Sequence, residues 1–183
     1  MNGLRKINWA FAVIIGLAFV LRFWGIGYGL PYTYGPDEPT YVSIALRMLQ
    51  TGDLNPHWWY YPSLMHYLNA FVLSLLFVAG QLLGYWQSVT DLPYPQIVTM
   101  GVGILDVPAE FWLTRGAVAL FSTVATGLVY SIARCLHPNK WVGILAALVY
   151  AVSPTIVEHS HRVGPDIFAM FFMVWSFLFS IMI

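Results

Sequence analysis

The chain has 183 residues, equal numbers of basic and acidic side chains (eight each), 59% hydrophobic residues and a mean hydropathy of +0.70. A soluble domain of this size has too little interior to hide that much apolar surface, so the composition reads as an integral membrane protein. The zero formal charge gives no reason for a nucleic-acid partner, and the single cysteine, Cys135, excludes an internal disulfide.

Asn8 to Leu30 is the first apolar segment, long enough for the roughly 20 residues that cross hydrocarbon. Arg5 and Lys6 precede it, as in a signal peptide, but Arg22 interrupts it and no small-residue cleavage site follows. It reads as an uncleaved span with a cytoplasmic N-terminus.

Next comes Gly35-Pro36-Asp37-Glu38-Pro39-Thr40-Tyr41. Two adjacent acids in a chain only 9% charged, at the mouth of a membrane helix, point to chemistry at the bilayer surface. The prolines end one element and open the next, and Tyr41, Ile44, Ala45, Met48 and Leu49 give a helical apolar face up to Gly52. Neighbouring helical residues diverge by about 100°, which predicts different roles for Asp37 and Glu38. Helix capping by Asp37 is the plain alternative.

Trp58 to Tyr61 reads as an interfacial aromatic belt, with sugar stacking as the sharper alternative. Leu64 to Tyr85 is long enough to cross, but a single crossing would place the basic Arg134, His137 and Lys140 loop outside. It therefore either pairs with the weaker stretch Ile97 to Val107 or lies along the outer face. The remaining spans are Phe111 to Arg134, Trp141 to Ser153 and Ile167 to Ile183. The expected fold is all-α and polytopic: one membrane domain over 1–183, about four spans, and an external segment over 31–110 with interfacial or re-entrant helices. The apolar end, without a polar or basic flank, predicts the N-terminal part of a longer protein.

This topology places Glu110, Arg115, Arg162 and Asp166 on the side of Asp37. Guanidinium groups at span ends grip phosphate, or snorkel to headgroups. His159 and His161 are two apart and converge only in a loop, where metal binding is the minor reading.

The order of these pieces resembles the N-terminal part of the GT-C membrane glycosyltransferases, in particular the dolichyl-phosphate-mannose protein mannosyltransferases and the lipid A aminoarabinose transferases. The pieces are Leu21-Arg22, the Asp37-Glu38 pair, Tyr61-Pro62-Ser63-Leu64, Glu110 to Arg115, Tyr130 to Arg134, and Ser153-Pro154 leading to Arg162 and Asp166. Ser63 stands where the family often has a second proline, and Tyr85 to Ala109 is longer than in many members. The resemblance implies inverting transfer of a sugar from a polyprenyl-phosphate donor to a hydroxyl of a protein or glycolipid, at the external face of the plasma (inner) membrane. It implies Asp37 as general base with Glu38 in support, and Arg115 and Arg162 at the donor phosphate. Glu110, Asp166 and His161 become candidates for organising the acceptor or a divalent metal. The rival is a non-catalytic membrane subunit, in which the acids cap loops and the arginines anchor headgroups, or an inactive fragment of such an enzyme; a secondary transporter ranks last, because its acids would lie near the midplane.

Overall fold

The computed structural model describes residues 8–33, 37–94, 96–99, 102–104 and 109–183. Arg5, Lys6, Gly35 and Pro36 lie outside them. Seven α-helices carry the described fold: α1 Trp9–Phe23, α2 Glu38–Thr51, α3 Leu64–Leu82, α4 Ala109–Leu136, α5 Lys140–Val152, α6 Pro154–His159 and α7 Pro165–Met182. Three short strands, β1 Tyr32–Thr33, β2 Gln96–Thr99 and β3 Val102–Ile104, form an antiparallel sheet in the order β1-β3-β2.

The largely helical fold is the expected one, with two corrections. Three helices among the described residues, not four, are long and apolar enough to cross a membrane: α3, α4 and α7. Two expected spans are shorter helices. α1 stops at Phe23 because Gly25 and Gly29 follow with φ of +79° and +84°, and α5 stops at Val152, just before Pro154. The second correction is the stretch from Ile97, which forms β2 and β3 rather than an apolar partner for α3.

α4 is the spine. Its 28 residues extend about 42 Å. α5 returns beside it after residues 137–139, and Asn139 caps α5 by accepting from the Trp141 N–H. α1 packs on α4 and α5 through the small residues Ala18, Ala147 and Ala151, which are fully buried. A second core joins α2, α3, α4 and α7 through Val42, Leu46, Leu73, Phe111, Val118 and Phe168.

α2 begins at Pro39 in its first turn and ends at Gly52, whose φ of +70° suits glycine. Its buried face is Tyr41, Val42, Ile44, Ala45, Leu46 and Met48. The segments flanking α3 both come back to this region. Tyr67 donates to the Leu54 carbonyl at one end; at the other, Gln50 donates to the carbonyls of Val89 and Leu92, and β3 pairs with β1 through Tyr32 and Ile104. A cysteine at the exposed Tyr85 position is therefore expected to react with a membrane-impermeant maleimide from the same side as one at Asp37; reaction only from the opposite side would refute the return of this segment.

Candidate active site

Glu38 is buried in the first turn of α2 and pairs with Arg115 of α4, also buried. Arg115 donates from Nε to Glu38 Oε1 at 3.0 Å and from Nη2 to Oε2 at 2.8 Å, the two-pronged geometry that a guanidinium makes with a carboxylate. Its Nη1 donates to the carbonyls of Ile26 and Tyr28 at 2.9 and 3.0 Å. Glu38 Oε1 also accepts from the Val163 N–H at 2.7 Å. One carboxylate thus ties α2 to α4 and to the loop between α6 and α7.

Gly27 lies between the two carbonyls that Arg115 holds, under the Trp112 ring, and a Cβ there would run into the indole. Gly27→Ala is expected to cost about 1–3 kcal/mol by forcing Trp112 aside. Thermal unfolding of the purified protein in detergent checks this; an unchanged midpoint would contradict it.

Asp37 points elsewhere. It is exposed, and although it stands at the N-cap of α2 its side chain makes no capping bond. It lines a cleft of about 240 Å³ together with Glu38, Tyr41, Tyr61, Arg162 and Asp166. A larger adjoining cleft of about 540 Å³ shares Glu38 and Arg162 and is also lined by Gly25, Tyr28, Arg115, Glu158 and His161. Arg162 stands between the two, half exposed, in an ion pair with Glu158.

The other groups follow from the turn after α6. His159 Nδ1 lies 3.2 Å from Asp166 Oδ2, at the start of α7, and His161 Nε2 donates to the Leu21 carbonyl at 3.0 Å. Tyr41 is nearly fully buried, and its hydroxyl is pushed well above the usual phenol range. Burial is the main cause, followed by the charge of Asp37, the neighbouring Tyr61 and Asp166. Tyr41 is therefore a neutral hydrogen-bonding group at any physiological pH.

The structure brings Asp37, Glu38, Arg115, Arg162, Asp166 and His161 to the two adjoining clefts. It does not bring Glu110 there: this acid is buried in the first turn of α4, with Oε1 unpartnered, and lines neither cleft. Among the described residues no three His, Cys, Asp or Glu side chains are grouped to hold a metal ion. The sequence places Tyr41 on an apolar helical face and does not pair His159 with Asp166. Tyr41 was legible, being four residues after Asp37 on a helix; the pair spans a turn whose path no local pattern gives.

Residues 95–183 match a family model described as dolichyl-phosphate-mannose-protein mannosyltransferase. The match includes Arg115, Arg162 and Asp166 and leaves out Asp37 and Glu38. No curated protein and no solved structure matches the chain. About half of the chain is thus similar to that family, which is consistent with a relationship to the GT-C glycosyltransferases.

Proposed function

We propose that the protein is a GT-C glycosyltransferase that moves a sugar from a polyprenyl-phosphate donor to an acceptor hydroxyl with inversion. The observation that carries this reading is the cleft where an uncapped carboxylate, Asp37, shares one wall with a cation, Arg162, and a second acid, Asp166. The family match over residues 95–183 supports it.

In this reading Asp37 takes the acceptor proton, the acceptor oxygen attacks the anomeric carbon, and the bond from that carbon to phosphate breaks with its electron pair leaving on the phosphate. Arg162 receives that charge by exchanging Glu158 for the phosphate oxygens. Arg115 contributes its field from beneath, since Glu38 and two carbonyls hold its donors. Glu38 keeps α2, and so Asp37, in place. Tyr41, Asp166 and His159 orient the acceptor, which is a protein or glycolipid hydroxyl. His161, on the wall of the larger cleft, contacts the donor side. Glu110 takes no part in the step.

The donor's tail stays in the bilayer, so the clefts belong at an interface. The basic loop of Arg134, His137 and Lys140 at the far end of α4 supports a cytoplasmic place for that end, and so an external place for the clefts, at the inner or plasma membrane. Residues 31–110 then form an external segment of a single membrane domain, with α3 lying at the interface.

A photoreactive polyprenyl phosphate incubated with membranes holding the full-length protein tests the donor site. Crosslinks to the peptide around Arg162, lost when unlabelled polyprenyl phosphate competes, are the expected result. Crosslinks confined to the α4–α5 end would overturn the assignment.

A further inference from the structure

Arg22 carries a charge into the bundle with no carboxylate to meet it among the described residues. It is fully buried in the last turn of α1. Its Nε donates to Ser122 Oγ at 2.7 Å, its Nη1 to the Ala18 and Ala151 carbonyls at 3.1 Å each, and its Nη2 to the Tyr150 carbonyl at 3.4 Å. The Tyr150 ring lies 5.7 Å from its Cζ. A buried guanidinium held only by neutral groups is costly, so its position calls for a reason.

Two features supply one. Pro154 has no N–H, so the Tyr150 carbonyl four residues before it loses its helical donor. Arg22 meets that carbonyl and its neighbour, and so holds the break between α5 and α6 open at a fixed angle. Ser122 then passes the contact on. Its hydroxyl lies 2.8 Å from that of Ser160, which is fully buried in the turn after α6. The same turn of α1 holds His161 through the Leu21 carbonyl. On the other side of Arg162, Val163 is held by Glu38. Arg162 is therefore the exposed residue of a short segment pinned on both sides, by α1 before it and by α2 after it.

We infer that Arg22 is a positioning residue: through Ser122 and Ser160 it sets the place of Arg162 at the lip of both clefts. The inference rests on the proposed reading of Arg162 as the phosphate group's partner, and it makes a kinetic distinction within it. Loss of Arg22 displaces the donor site and leaves the base alone. It therefore raises donor KM and also lowers kcat by the part of the Arg162 contact that strengthens as the phosphate departs, whereas loss of Asp37 acts on kcat alone.

The test uses the full-length protein in membranes, with Cys135→Ser as background. Arg22→Met is expected to raise donor KM about tenfold and to lower kcat as well, while the basic shift in the pH profile that marks loss of a general base is absent. Ser160→Ala, which removes one hydroxyl and leaves the bundle packed, is expected to move KM in the same direction by about threefold. A cysteine placed at His159 is expected to react several-fold faster with an impermeant maleimide once Arg22 is Met, and Arg22→Lys is expected to restore part of the protection. Unchanged KM and unchanged labelling in the Ser160→Ala protein would overturn the inference, including where Arg22→Met fails to assemble. Should the unaltered protein transfer no sugar, the proposed function fails while the labelling rates still decide whether Arg22 positions the turn.

Discussion

Replacing Asp37 by Asn in the full-length protein is expected to lower sugar transfer by a factor of about 10² to 10⁴, the usual contribution of a positioned general base. Folding is expected to stay intact. Asp37 is exposed and its side chain makes no capping bond, so the amide removes no contact that holds α2. The competing role makes the opposite forecast. A cap lost from α2 would cost about 1 kcal/mol of stability and leave turnover alone. Measuring both the transfer rate and the thermal midpoint of Asp37→Asn separates the two. Near-normal transfer removes Asp37 from the base role, and a lowered midpoint with normal transfer returns it to a structural one.

The second large effect concerns the residue beside it. Arg115→Ala leaves the Glu38 carboxylate buried with only the Val163 N–H for a partner. Breaking a buried ion pair by removing one member costs about 3–5 kcal/mol, because the other charge is left without compensation. Glu38→Ala strands the guanidinium in the same way, although the Ile26 and Tyr28 carbonyls remain to it. Both variants are expected to lose folded protein in membranes and to unfold at lower temperature in detergent. The double variant Glu38→Ala with Arg115→Ala is expected to be hurt by less than the sum of the two single changes, since neither charge is then stranded. Additive losses, or an Arg115→Ala protein as stable as the original, would show that the pair holds nothing together.

Adjacent acids thus have opposite fates on α2, and the sequence contained the reason. A helix turns about 100° per residue, so Asp37 and Glu38 cannot face the same way. The bounds of α2 were legible as well, because Pro39 and Gly52 are chemical punctuation. Glycine would have corrected α1: Gly25 and Gly29 end it, although the hydropathy continues to Leu30. Pro154 likewise ends α5 at Val152 and leaves it shorter than the three helices long and apolar enough to cross a membrane.

Pairing was not legible. Glu38 and Arg115 are 77 positions apart, and nothing local to either residue names the other. The basic group at a helix end fitted a phosphate ligand, a headgroup anchor or a partner for an acid, and only the fold chooses between them. Strand β3 escaped for a similar reason: short segments without alternation are defined by their partners, and β3 pairs with β1, more than 60 residues earlier, as well as with β2 beside it. The same holds for Arg22. In sequence it is a flaw in a span, and its role follows from the carbonyl freed by Pro154 on a distant helix.

The proposed sugar transfer from a lipid-linked phosphate at this cleft is open to direct measurement. The most direct measurement follows a labelled sugar from polyprenyl phosphate to product in membranes containing the full-length protein, and determines the anomeric configuration of the product. Transfer with inverted configuration, dependent on Asp37, is the predicted result. Transfer with retention, or none from any polyprenyl-phosphate sugar offered, would contradict it.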